Sequence, residues 1–187
     1  MSQLDGTIMG LIGVKAGIVS RDAAETGERV LLNFGHTLGH ALETRSQKIA
    51  ADGHDHLLHG EAVGLGIIYA SLLSQKVCGL PLSQVQEITK IISEIIDFKN
   101  SLNLKSLCGY LGVKDLSDPY LWQDLSKLMG VDKKNRGGVI QWVLLRQSGQ
   151  PGMHHSGTWT IPVDMALVEK TWYEFVQALK GSSASML

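Results

Sequence analysis

The 187-residue sequence predicts a mainly α-helical domain with one small β-strand pair. Three observations carry this prediction. Apolar residues recur at helical spacing, most clearly in Val85, Ile88, Ile91, Ile92, Ile95 and Ile96, with Glu, Lys and Asp on the other side. β-branched and aromatic residues of strand type concentrate in one region only, between Val139 and Val163. No strand–helix–strand alternation occurs, and neither a GxGxxG nor a GxxxxGK[ST] loop is present.

The elements follow in chain order. Residues 1–28 mix short apolar pieces with turn residues and are expected to be helical in part. A helical pattern begins at Asn33 and runs to Ile49. "AADGHDHLLHGE" reads as a loop rich in Gly, Asp and His. Glu61–Lys76 is apolar nearly all round, which predicts a helix central to the core. Ser83, with Gln86 three residues later, has capping-box spacing and is expected to start the Ile-rich helix. A short helix is expected over Tyr120–Met129, followed by the charged turn "VDKKNRGG". "VIQWVLLR" reads as a strand and "GTWTIPV" as its partner across the loop "QSGQPGMHHSG". Asp164 is placed to cap a last amphipathic helix carrying Leu167, Val168, Trp172, Phe175, Val176 and Leu179, with Gly181 at its end. Residues 1–181 read as one domain, and 182–187 as a disordered tail.

Composition narrows the function. The chain is 44% hydrophobic and 19% charged, with a net charge of -1. That balance predicts no global field toward nucleic acid or an acidic membrane surface, so any basic site is local. The longest charge-free apolar stretch, Ala62–Gln75, is too short and too rich in Gly for a membrane span. The start of the chain has no signal-peptide pattern. Cys78 and Cys108 stand alone in apolar contexts, which argues against a disulfide framework. A cytoplasmic location is expected.

The chemistry concentrates in "RVLLNFGHTLGHALE", Arg29 to Glu43. On a helix, His36 and His40 share a face one turn apart. Imidazoles at that spacing can bind one divalent metal, or one can bind metal while the other donates to a substrate oxygen. Gly35 and Gly39, also one turn apart, suggest close approach of something to the backbone. The plainer alternative is a pair of core histidines on a tightly packed helix.

His59 opens the apolar helix in "HGEAVGLG" and is placed to reach His36 from a second element. A third metal ligand is not obvious among Glu61, Asp55, His54 and His56. The stretch is not HExxH, because Val63 stands where the second His belongs. Lys15 and Arg29 precede the histidines, and Lys133, Lys134 and Arg136 follow in a turn. Cations near a metal suit an anionic substrate, although a basic turn is commonly only solvated.

Together these segments resemble the 3-dehydroquinate synthase family, specifically its helical carboxy-terminal domain. The resemblance runs from Val14 to Leu145 through "VKAGIVSRDAAETGERVLLNFGHTLGHALE", "HGEAVGLGI" and "MGVDKK". It implies a metal- and NAD-dependent enzyme, with zinc or sometimes cobalt. The implied reaction turns 3-deoxy-D-arabino-heptulosonate 7-phosphate into 3-dehydroquinate and phosphate in the shikimate pathway. Oxidation by NAD, phosphate loss, re-reduction, ring opening and aldol closure make up that reaction.

Carried over by motif, the resemblance implies His36 and His59 as metal ligands and His40 as a substrate-site imidazole near the phosphate. It implies Asn33 and Lys133 as phosphate contacts, Lys133 being preferred to Lys134 by alignment of "DKK". Lys15 and Arg29 are the implied carboxylate clamp, and Glu25 an acidic residue that orders the site.

The loop between the metal histidines is longer than the family's and adds His54 and His56. The family's NAD-binding domain, and its third metal ligand, a Glu, are expected to lie outside this chain. The chain alone is therefore expected to be inactive, and to work as a homodimer or with an NAD-binding half. Two alternatives stand beside this. One is a related sugar-phosphate cyclase making amino-dehydroquinate or 2-deoxy-scyllo-inosose. Such relatives change the positions of Asn33, His40 and Lys133. The other is a non-catalytic helical binding module.

Overall fold

A computed structural model describes residues 3–24, 26–50, 55–98, 100–130 and 139–181. Its order is α1 (Gln3–Arg21), a 3₁₀ helix (Glu28–Asn33), α2 (His36–Ile49), α3 (His59–Cys78), α4 (Leu82–Ile95), α5 (Leu104–Leu111) and α6 (Pro119–Gly130). Then come β1 (Gln141–Trp142), β2 (Leu145–Gln147), β3 (Gln150–Pro151), β4 (Ile161–Pro162) and α7 (Met165–Gly181). The chain folds as a mainly helical domain with small two-stranded sheets.

α3 lies at the centre, as its all-round apolar character predicts. Leu65, Ile68, Tyr69, Ala70 and Leu73 are buried on it, and α2, α4, α7 and β2 all pack against it. Tyr69 stacks obliquely on Trp142 at 5.6 Å and meets Phe175 edge-on at 5.9 Å. Its hydroxyl donates to the Val168 carbonyl at 2.6 Å, tying α3 to α7. Trp122 stacks on Trp172 at 6.1 Å, joining α6 to the same core.

α2 is held from two sides. Gly35 begins it with φ of +82°, and a Cβ there would sit 2.6 Å from Ile67 Cγ1. A Cβ on Gly39 would come within 3.0 Å of Val63 Cα, and one on Gly66 would overlap the Gly35 carbonyl oxygen. The close approach read from the glycines is that of α3's backbone to α2's. On the other side, Arg45 pairs with Asp124 of α6 at 2.5 Å and donates to the Leu111 carbonyl at 3.2 Å.

Several local expectations change. The helix expected from Asn33 begins later, at His36: Asn33 instead ends a 3₁₀ helix that starts at Glu28, and the left-handed backbone of Gly35 lies between the two. Ser83 does not cap α4. The helix starts at Leu82 after Pro81, and Ser83 is already inside its first turn. A capping box does form between Asn103 and Ser106, at the head of α5.

Val85 and Thr89 on α4 are buried, as is Ile96 just after it, whereas Ile91 and Ile95 are 47% and 71% exposed. Only half of the Ile-rich face therefore enters this core. β1 pairs with β4 antiparallel, as expected from "VIQWVLLR" and "GTWTIPV". A second pair joins β2, at the end of the expected strand, to β3 in the expected loop, so the described residues hold two small strand pairs rather than one. Asp164 Oδ1 accepts from Ala166 N–H at 2.9 Å at the head of α7, as expected. Among the described residues, no helix is long and apolar enough to cross a membrane.

Candidate metal and substrate site

The site forms where α2 and α3 begin. His36 is the first residue of α2, His40 stands one turn later, and His59 is the first residue of α3. The glycine contact between the helices brings these starts together. Ring centroids lie 5.1 Å apart for His36–His40, 5.7 Å for His36–His59 and 5.8 Å for His40–His59. One ligand atom from each falls within 4.8 Å of the others. Three nitrogens on one tetrahedral zinc stand about 3.4 Å apart, so small side-chain rotations close the remaining gap. The donor set fits a divalent transition metal.

Two of the imidazoles are oriented for that role. His36 Nδ1 lies 3.3 Å from the Phe34 carbonyl oxygen, and His59 Nδ1 lies 3.1 Å from Glu43 Oε2. With Nδ1 protonated toward these oxygens, each Nε2 lone pair is left for a metal. Burial, above all, pushes the His36 pKa below its ordinary value. The Phe34 carbonyl opposes this, while His40, His59 and Lys15 add to it. A neutral imidazole is the ligand-competent form.

His59 reaches its place because its approach is pinned. The buried Ser46 hydroxyl accepts from the Leu57 N–H at 2.8 Å, fastening the strand of chain before α3 onto α2. Glu61 accepts from the Leu58 N–H at 2.8 Å, which starts α3 and occupies that carboxylate.

A cavity of about 550 Å³ opens beside the cluster. Asn33, His36, Thr37, His40, Thr44 and Lys48 form its α2 side, and Met129, Val139, Ile140 and Thr160 close the opposite side. Among the described residues, its lining takes in Asn33, His36 and His40 but not Lys15, Arg29 or His59. Lys15, on α1, is close enough to influence His36. Arg29 donates through Nη1 to the Ala23 carbonyl at 2.9 Å. Its loop is organised by Asp22, which accepts from the N–H groups of Thr26, Gly27 and Arg29 at 3.0, 2.8 and 2.9 Å. These bonds, the one from Arg29 foremost, hold the Asp22 carboxyl below the usual range.

Glu25, His54 and Lys133 with its neighbours Lys134 and Arg136 lie outside the described residues. His56 is exposed and is not part of the histidine cluster. Glu43 and Ser46 escaped sequence reasoning. The available signal for Glu43 was its spacing, seven residues after His36 and three after His40, on one helix face. Ser46 carried no comparable signal.

Comparison with known proteins agrees with this architecture. A family model described as 3-dehydroquinate synthase C-terminal matches residues 1–135. The 3-dehydroquinate synthase of Methylacidiphilum infernorum is 39% identical over 141 residues, which cover 75% of this chain and 33% of that protein. That of Parabacteroides distasonis is 34% identical over 157 residues, covering 84% and 39%. A crystal structure of 2-deoxy-scyllo-inosose synthase, complexed with carbaglucose-6-phosphate, NAD+ and Co2+, superposes with a TM-score of 0.69 at 24% identity. It covers 92% of this chain and 41% of its own, and shows the same fold. The chain spans about a third of the length of the curated relatives it matches. With the helical architecture and the family model in agreement, the chain belongs to the 3-dehydroquinate synthase family and is its carboxy-terminal domain.

Proposed function

We propose that this chain is the metal- and substrate-binding part of a 3-dehydroquinate synthase. The enzyme would convert 3-deoxy-D-arabino-heptulosonate 7-phosphate to 3-dehydroquinate and phosphate, with NAD and zinc or cobalt. The observation that carries this is the cluster of His36, His40 and His59 beside the 550 Å³ cavity, a volume suited to a small ligand.

His36 and His59 hold the metal, which when bound supplies Lewis acidity to substrate oxygens. His40 and Asn33 face the cavity and take the phosphate end, with Lys133 as a further phosphate contact. Lys15 and Arg29 take the carboxylate, and Glu25 orders their surroundings. α2 and α3 both direct their amino-terminal ends to the site, so backbone N–H groups and helix dipoles favour a polyanion there. NAD is held by another part of the enzyme, since these residues contain no glycine-rich phosphate cradle. A homodimer, or assembly with an NAD-binding half, completes the enzyme in the cytoplasm. The relatives at 34–39% identity carry the dehydroquinate synthase name, which favours this substrate over that of the inosose synthase at 24%.

The test is a fusion of this chain to the NAD-binding part of the M. infernorum relative, assayed for phosphate release from the heptulosonate phosphate. Release is expected with metal and NAD, and is lost in His36→Ala and His59→Ala. A folded, NAD-loaded fusion that releases no phosphate overturns the proposal. Turnover by the 187 residues alone overturns the assignment of NAD to another part.

A further inference from the structure

A second cavity, also of about 550 Å³, is built on α5, the segment after it and the end of α7. Its lining shares no residue with the cavity beside the histidines. Leu104, Lys105, Cys108 and Gly109 give it one side of α5, because residues four apart stack on one helix face. Leu107 and Leu111, on the other side of α5, are buried in the core. Val113 and Leu116 add to the apolar lining.

The charged groups of this cavity are not equally committed. Lys180 Nζ donates to both Asp115 oxygens, at 2.8 and 2.9 Å, and to Ser117 Oγ at 2.8 Å. Lys105 and Lys114 are exposed, and among the described residues neither forms an ion pair. The rim therefore keeps two uncompensated positive charges. Burial above all, and Asp115 next, push the Cys108 thiol up from its ordinary value, against the Leu116 N–H and Lys180. Cys108 is thus a neutral, weakly polar wall. Gly109 stands inside α5, where glycine is less favourable than alanine. A Cβ there would meet nothing within 4 Å, so the packing of the chain does not call for a glycine.

We propose that this cavity is a second binding site, for a small organic anion with an apolar body, such as an aromatic monocarboxylate. The body rests on Leu104, Cys108, Val113 and Leu116, the bare backbone of Gly109 leaves it room, and the carboxylate meets Lys105 and Lys114. Mostly apolar walls with a few convergent polar groups are the make-up of a small-molecule site. Lysine stems lie along apolar surface while their ammonium heads stay in water, so two of them can meet one carboxylate at the rim. The inference does not depend on the metal-site reading above.

The experiment is an amide NMR titration of the full 187-residue chain with phenylacetate. Saturable shifts are expected at Lys105, Gly109 and Lys114. Benzyl alcohol, which lacks the charge, and acetate, which lacks the ring, are each expected to bind at least about fivefold more weakly. The double variant Lys105→Gln/Lys114→Gln is expected to bind phenylacetate about tenfold more weakly and benzyl alcohol as before, the effect of losing two partly exposed charge contacts. Gly109→Leu, which fills the cavity, is expected to abolish binding, with far-UV circular dichroism reporting that the variant is folded. Alkylation of the unsubstituted chain by iodoacetamide needs no variant. Phenylacetate is expected to slow it at Cys108 and not at Cys78, which does not line this cavity.

Unmoved amides with phenylacetate in the millimolar range, or unslowed alkylation at Cys108, overturn the site. A folded Gly109→Leu that binds as before overturns its placement. Equal affinity for benzyl alcohol, or indifference of the lysine variant, overturns recognition of the charge. Equal affinity for acetate overturns recognition of the apolar body.

Discussion

A Cβ on Gly66 of α3 would overlap the carbonyl oxygen of Gly35 at the start of α2. The two helices are therefore as close as their backbones allow. That separation sets the distance between His36 and His59, one at the head of each helix.

Gly66→Ala follows directly. Alanine gains about 1 kcal/mol in helix propensity, but the overlap is with backbone that cannot rotate away. Overpacking of this kind costs about 1–3 kcal/mol, and here the helices must part. The expected net outcome is a fall of several degrees in Tm together with weaker zinc binding. Gly13→Ala is the control, because nothing lies within 4 Å of its Cβ position. It should be neutral or slightly stabilising. Equal Tm in the two variants would contradict the contact.

Glu43→Gln tests the support of His59. The carboxylate sits 3.1 Å from His59 Nδ1, and the histidine is 56% exposed. Loss of such an outer-shell partner typically costs about 10–100-fold in metal affinity. Calorimetric zinc titration should show that loss, while the Tm of the metal-free chain stays nearly unchanged. A large Tm drop without loss of affinity would mean that Glu43 is structural instead.

Ser46→Ala removes the acceptor for the Leu57 N–H, and both residues are fully buried. An orphaned buried N–H costs about 1–3 kcal/mol. Chemical denaturation should show that loss with an unchanged m-value, and zinc affinity should fall because His59 is no longer delivered to the cluster. Ser46→Thr, which keeps the acceptor, distinguishes the lost bond from lost packing.

Asp115 gives a pH signature away from the site. Lys180 Nζ donates to both of its oxygens, at 2.8 and 2.9 Å, and these bonds, with those from Ser117, hold the carboxyl far below its ordinary pKa. A depressed folded pKa contributes stability above the unfolded value near 4, and that stability is lost as pH falls toward the folded value. The pair is largely solvent-exposed, so its contribution is small. Asp115→Asn should lower Tm slightly at pH 7 and flatten the decline in Tm below about pH 4. An unchanged acid limb would show that other carboxylates dominate it.

Much of this fold was legible because its signals are periodic. α3 is apolar on every side, and only a central helix can bury such a surface. α7 shows a clean 3.6-residue stripe behind an Asp cap. The failures are local. At Gly35 a single positive φ ends one helix type and starts another, and a Gly inside an apolar pattern gives no hint of that. At α4, periodicity marks Ile91 and Ile95 as core-facing, yet it cannot say how wide the face offered by neighbouring elements will be.

The site followed the same division. His36, His40 and His59 were visible as residue types at helical positions, and the structure brings them together. Their supports were not visible, because the pairs Glu43 with His59 and Ser46 with Leu57 join separate elements. The spacing of Gly35 and Gly39 is legible in the sequence, but what approaches them is decided by a tertiary contact.

The bond from Leu57 to Ser46 has a further consequence for chain topology. It closes the connection between α2 and α3 at its base, upstream of His59. The contour length of that connection is thereby decoupled from the bite of the three imidazoles. Lengthening a flexible loop costs only about 0.6 kcal/mol per doubling. A reporter domain spliced into the connection would therefore leave the ligand geometry as it is, and a lineage could lengthen this connection without retuning its chemistry.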